Sequence, residues 1–209
     1  MASVSNAAPA TRTYLVRQAF RLEWFTVAWM TIEAAVAIGS GIAAHSLTLI
    51  AFGIDSVIEL ASAGVLMWRL MVEMKQGREF SEAAEERASK IAGGLLFALA
   101  LYVIVSAGWS LWRHQGSEFS VPGLVVACIA IPAMFALSRA KLRAADALGS
   151  RALRADAIEA VSCAYLSVVV VVGLIAQAIF HAWWVDGVTS LAIVYFLLKE
   201  GREAWECDD

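Results

Sequence analysis

The chain is 209 residues long, 60% hydrophobic and only 17% charged. Soluble domains carry nearer a quarter charged residues, so this composition indicates an integral membrane protein in contact with lipid. The net charge of −3, without a basic patch, gives no indication of nucleic-acid binding. The three cysteines, Cys128, Cys163 and Cys207, are too few and too scattered for a disulfide framework.

Six stretches are apolar enough to cross a bilayer, which takes about 20 residues per helix. They cover residues 22–42, 47–70, 88–112, 121–140, 154–180 and 182–199. The predicted fold class is therefore an all-α membrane protein with six transmembrane helices. We expect a mobile cytoplasmic N-terminus over 1–21, a transmembrane domain over 22–199 and a short cytoplasmic tail over 200–209.

The basic residues predict how these helices are oriented. If the N-terminus is inside, all of the 16 Lys and Arg residues except Arg113 fall in the inner segments. Lys and Arg accumulate in cytoplasmic loops, so both termini are predicted to face the cytoplasm. The compact six-span form has no signal-peptide pattern and suggests a multi-pass protein of a bacterial inner membrane.

Two pairs of polar residues interrupt the second and fifth spans. Asp55 and Glu59 are four residues apart, as are Glu159 and Cys163, and this spacing places both members of a pair on one helix face. An ionisable group at membrane depth costs several kcal/mol on the milder scales and is rarely retained without a function. The pairs therefore mark a candidate functional site.

Carboxylate oxygens and thiolate sulfur both bind zinc in tetrahedral geometry, at about 2.0–2.3 Å. The second and fifth spans run in opposite directions and bring their pairs to a similar depth. Asp55, Glu59, Glu159 and Cys163 are therefore the predicted ligands of a divalent cation, with Zn(II) first. If Cys163 does not bind, the remaining oxygens favour Mn(II), Fe(II) or Co(II).

Each of these residues also has a structural interpretation. Asp55 and Glu59 could form a protonated pair that is hydrogen-bonded to neighbouring helices. Glu159 lies near the cytoplasmic end of its span and could extend to water. Cys163 could be a small buried apolar residue, as free cysteines often are.

Two further acids are predicted as accessory or proton-pathway residues. Glu33 lies near the middle of the first span and could line the cavity, or could be a lone protonated acid. Asp156 precedes Glu159 by one turn, so it lies on the same helix face. It could supply an additional carboxylate, or could be an interfacial acid near Arg154.

Three segments resemble the cation diffusion facilitator family. HSLTLIAFGIDSVIELASAGVLMWRL is similar to the family's second span, in which a D-x-x-x-D pair carries the metal. AKLRAADALGSRALRADAIEAVSC is similar to its fourth link and fifth span, and WWVDGVTSLAIVYFLLKEGREAWE to its sixth span. The chain departs from the family pattern at Glu159, where the family has histidine, and at Cys163, where it has aspartate. It resembles short members that lack the cytoplasmic metal-binding domain.

The resemblance implies a homodimer that exchanges Zn(II) or similar ions for protons. Without the cytoplasmic domain, such a dimer would form through membrane helices, and the small residues Gly93, Gly94 and Ala98 of the third span offer one surface. We therefore expect a proton-coupled efflux transporter that works by alternating access and has no permanently bound cofactor. The alternative is a membrane metal sensor or scaffold that binds metal without transporting it.

An intramembrane enzyme is disfavoured by the positions of the histidines. A serine protease needs serine and histidine at one depth, but His45, His114 and His181 all fall at the outer ends of spans. A metalloprotease of the H-E-x-x-H type is excluded because that motif is absent from the sequence.

Overall fold

A computed structural model describes residues 9–76, 82–114 and 116–206. These residues form six helices and no strand, which confirms the predicted all-α fold. The helices are α1 (Pro9–Ala43), α2 (Leu47–Gln76), α3 (Glu82–Arg113), α4 (Val121–Leu148), α5 (Arg151–Phe180) and α6 (Val185–Glu206).

Five of the six helices, α1 to α5, contain stretches long and apolar enough to cross a membrane. The described part of the chain is thus a multi-pass membrane protein, as predicted. The sixth predicted span, 182–199, corresponds to α6, which has 22 residues. This helix is less apolar than the other five because its second half contains charged residues, including Lys199, Glu200 and Arg202.

All six helices extend past their predicted spans at one end or both, because helical turns continue beyond the apolar stretch. The segment 9–21, expected to be mobile, belongs to α1, and its Val16 and Ala19 are buried in a cluster with Leu66 of α2. In the same way α4 continues to Leu148. The predicted tail over 200–209 is helical through Glu206, while residues 1–8 and 207–209 lie outside the described residues.

The helix ends follow local sequence signals. Gly149 ends α4 in the left-handed conformation, with φ of 65°, and the hydroxyl of Ser150 then accepts a hydrogen bond from the Leu153 N–H to cap α5. Glycine adopts this conformation without the steric penalty that a Cβ brings. The chain therefore reverses direction between α4 and α5 within two residues.

At the opposite end of the bundle, α2 is capped by a residue from α6. Asp186 Oδ1 accepts a hydrogen bond from Ser46 Oγ at 2.6 Å, and its Oδ2 accepts one from the Leu47 N–H at 2.8 Å. A carboxylate at this position satisfies amide groups that the first helical turn leaves unpaired. The contact holds the N-terminal ends of α2 and α6 together.

The helices pack chiefly as the pairs α1–α2, α4–α5 and α3–α6, and α2 also contacts α3, α5 and α6. Glycines allow the closest approaches. A Cβ on Gly53 would lie 2.9 Å from the Ile38 nitrogen of α1, and one on Gly93 would lie 2.8 Å from Trp205 Nε1 of α6. Gly93, assigned from the sequence to a dimer surface, therefore packs within its own chain.

Candidate metal-binding site

The first predicted pair lies in the interior of the bundle. Asp55 and Glu59 are one turn apart on α2, with 0% and 5% of their surface exposed. None of their four carboxylate oxygens has a hydrogen-bond partner within the described part of the chain. Leaving a buried polar atom unpaired typically costs about 1–3 kcal/mol, and more when it is charged. These oxygens are therefore available to an external cation or to protons.

The second pair lies on α5 and faces the first. Cys163 is buried and Glu159 half-buried. Asp55 and Glu59 each interact electrostatically with Glu159, and both also lie close enough to affect the Cys163 thiol. The structure thus places α2 and α5 with their polar faces toward one another.

The side chains approach one another without closing a coordination shell. Within residues 9–76, 82–114 and 116–206, no three His, Cys, Asp or Glu side chains lie close enough together to hold a metal ion. Carboxylate–zinc bonds are only about 2.0–2.2 Å long, so converging ligands must come much closer than the range of an electrostatic interaction. Rotamer changes or a small helix movement would be needed to bring the oxygens onto one cation.

Glu33 has a full set of partners, in contrast to Asp55 and Glu59. Its Oε2 accepts a hydrogen bond from Trp29 Nε1 at 2.7 Å, and its Oε1 accepts one from Ser56 Oγ at 2.8 Å. The Cys163 thiol also donates to Oε1, with Sγ 3.7 Å away. Glu33 therefore connects α1, α2 and α5. The S–H group of Cys163 is engaged in the hydrogen bond to Glu33.

Asp156 belongs to a buried ion cluster at the end of the bundle opposite the Asp186 cap. Lys141 Nζ lies 3.1 Å from a Glu23 oxygen and also pairs with Asp156, and both Lys141 and Glu23 are fully buried. The cluster joins α1, α4 and α5. Arg154, suggested by the sequence as the neighbour of Asp156, instead pairs with Asp146 at 3.4 Å.

Glu200 also belongs to this region, although it was predicted to lie in a cytoplasmic tail. It lies on α6 with only 8% of its surface exposed. The hydroxyl of Ser162 lies near its carboxylate, and its Oε1 has no hydrogen-bond partner among the described residues. A sequence signal existed, because Ile193, Leu197 and Glu200 follow the i, i+4, i+7 spacing of one helix face.

Comparison with known proteins places these features in a family context. The family model of the cation efflux transmembrane domain matches residues 24–206. The chain is also similar to the manganese efflux system protein MneS of Bacillus subtilis (strain 168), with 27% identity over 188 residues. That alignment covers 87% of this chain and 62% of the relative, so the chain spans less than two thirds of the relative's length.

Proposed function

Because this chain belongs to the cation efflux family, whose transmembrane domain it contains, we propose that it exports a divalent transition-metal cation in exchange for protons by alternating access. The family consists of transporters and not of enzymes, and the bacterial relative agrees with a location in the inner membrane. One observation carries the proposal: Asp55 and Glu59 present four buried, unpartnered oxygens toward Glu159 on the facing helix.

The coupling to protons follows from the cost of burying charge. Unpaired carboxylates in a low-dielectric interior are unfavourable unless they are neutralised. A bound dication neutralises Asp55, Glu59 and Glu159, and protons do so after the metal has left. Metal ligands must be deprotonated, so binding of the cation on one side releases protons and protons displace it on the other. The site thereby alternates between two states of low net charge.

The choice of metal depends on whether sulfur takes part. Zn(II), the cargo predicted from the sequence, is favoured if the Cys163 thiolate binds. Oxygen ligands alone favour Mn(II), Fe(II) or Co(II). Two observations support the oxygen set: the Cys163 thiol donates to Glu33, and the similar protein of Bacillus subtilis is a manganese efflux protein. We therefore propose Mn(II) as the first cargo to test and Zn(II) as the second.

A homodimer through membrane helices remains part of the proposal. Gly93 is occupied by α6 of the same chain, but a Cβ on Gly94 would meet no heavy atom within 4 Å. Leu95 and Tyr102 of α3 are also exposed on the isolated chain. This face of α3 is the surface that we assign to the second subunit.

Transport in proteoliposomes tests the function directly. With an acidic compartment on the receiving side, we expect the wild-type protein to move Mn(II) against a metal gradient and to stop when an ionophore dissipates the pH difference. Asp55→Ala and Glu159→Ala should abolish the flux, since each removes ligand oxygens. Glu203→Gln, on the exposed side of α6, is the matched control and should transport normally.

The alternative of a sensor or scaffold predicts a different result. Such a protein would bind Mn(II) through the same carboxylates but would show no flux and no dependence on the pH gradient. Undiminished flux in both Asp55→Ala and Glu159→Ala, with folded protein, would remove the proposed site.

A further inference from the structure

Glu200 lies on the face of α6 that points into the bundle. Ile193 and Leu197, which share that face, are fully buried, and Glu200 continues the row at the next turn. On the neighbouring exposed face of the helix, Lys199 and Glu203 pair with one another at 3.6 Å with half of each side chain exposed. An exposed carboxylate needs no explanation, but Glu200 is a buried one.

The nearest cation to Glu200 is the half-exposed Lys199, which pairs with Glu203. The hydroxyl of Ser162 on α5, a neutral group, also lies near the Glu200 carboxylate. None of the ion pairs between the described side chains includes Glu200. Buried carboxylates are normally paired or bound to a cation. Like Asp55 and Glu59, Glu200 is a buried carboxylate with an unpaired oxygen. The buried Glu23, in contrast, has Lys141 as its ion-pair partner.

The position of Glu200 links it to both pairs of the candidate site. Helices α5 and α6 pack against each other. Ser162, which lies near Glu200, precedes Cys163 and is three residues from Glu159, so Glu200 lies beside the site-bearing part of α5. Its carboxylate interacts electrostatically with all four predicted site residues: Asp55, Glu59, Glu159 and Cys163.

The unpartnered oxygens cluster in the same way. Seven buried side-chain oxygens lack a hydrogen-bond partner within the described residues, and five of them belong to Asp55, Glu59 and Glu200. Such atoms are rare in native proteins, and each one calls for an explanation such as a bound ion. Their concentration on α2 and α6 indicates one common ligand.

Resting on the proposed function, we infer that Glu200 of α6 binds the transported cation together with Asp55, Glu59 and Glu159. The site then spans α2, α5 and α6 and offers only carboxylate oxygens, which must move closer together than they are in this structure to share one cation. A donor set of this kind suits a hard cation such as Mn(II) better than a soft one. With Glu200 as the fourth carboxylate, the cation does not need the Cys163 sulfur.

Titration of Mn(II) into the purified full-length protein tests the role of Glu200. Glu200→Gln keeps the size of the side chain and one acceptor oxygen but removes its charge. We expect Mn(II) binding to weaken by at least about tenfold, the lower end of what changes around metal sites cause. Glu203→Gln, one turn further on the exposed face, should bind as the wild type does.

A second variant separates ligation from a merely structural role. Glu200→Cys replaces oxygen by sulfur, so its preference for Cd(II) over Mn(II) should rise, whereas Glu203→Cys should leave that preference unchanged. The role of Glu200 would be overturned if Glu200→Gln bound Mn(II) as tightly as the wild type, or if Glu200→Cys showed no increased preference for Cd(II). In that case Asp55→Asn should still bind Mn(II) more weakly than the wild type. Absence of both binding and flux in the wild-type protein would instead overturn the proposed function, and this inference with it.

Discussion

Buried acids of one chemical type have different roles in this protein, and their partners distinguish them. Glu33 accepts hydrogen bonds from Trp29, Ser56 and Cys163. Asp55 and Glu59 accept none from the described residues, although they are equally buried. A satisfied carboxylate fixes the helices that its donors belong to, whereas an unsatisfied one is available to a cation.

Glu33→Gln should therefore lower stability more than it affects metal binding. The amide would place an N–H₂ group opposite one of the donors, leaving that donor unpaired at a cost of about 1–3 kcal/mol. Denaturant unfolding in detergent should show this loss, while Mn(II) titration should give nearly wild-type affinity. If stability is unchanged and Mn(II) binding is lost, Glu33 is a ligand, as its predicted accessory role allows.

At the scale of helices, one end of the bundle is held by an ion cluster and the other by the Asp186 cap. Lys141 of α4 reaches Glu23 of α1 and Asp156 of α5; Lys141 and Glu23 are fully buried, and Asp156 is 12% exposed. A buried ion pair contributes little net stability compared with apolar residues, but removing one partner leaves uncompensated charge. The cluster thus fixes which helix ends meet at this side of the membrane.

We expect Lys141→Met to destabilise the protein by about 3–5 kcal/mol, because Glu23 and Asp156 lose their cation. Unfolding in detergent would measure this. Lys199→Met, which removes a half-exposed lysine from α6, is the control and should change stability little. Adding Glu23→Gln and Asp156→Asn to Lys141→Met should restore part of the loss. An unchanged free energy of unfolding in Lys141→Met would show that Glu23 and Asp156 do not need the charge of Lys141.

For the molecule as a whole, the proposed cation between α2, α5 and α6 would act as a crosslink in the folded state. These helices contact one another in the bundle, but their carboxylates repel each other when charged. A ligand that binds only the folded state raises the free energy of unfolding in proportion to the logarithm of its concentration.

Mn(II) at about 100 times its dissociation constant should accordingly stabilise the protein by about 2.7 kcal/mol. The midpoint of thermal unfolding in detergent should rise on addition of Mn(II) and fall back on addition of a chelator. Asp55→Asn should unfold at the same temperature with and without Mn(II). An equal shift in Asp55→Asn and wild type would place the metal elsewhere.

The length of the apolar stretches was sufficient to predict the all-α fold and all six helices, since each apolar stretch has to be helical to pair its backbone in lipid. Their ends were less predictable. Apolar length marks the hydrocarbon, whereas α1 and α6 continue as polar helices to Pro9 and Glu206. For this reason Glu200 fell within the predicted tail over 200–209.

The sequence by itself determined the helix order and the two i, i+4 pairs, because both depend on spacing within one helix. Only the tertiary structure decided which polar groups meet. Lys141 and Glu23 are 118 residues apart, and Ser46 and Asp186 are 140 residues apart. No local pattern encodes such contacts, since they depend on the packing of whole helices. The same packing turns Cys163 toward Glu33 and brings Glu200 toward Asp55.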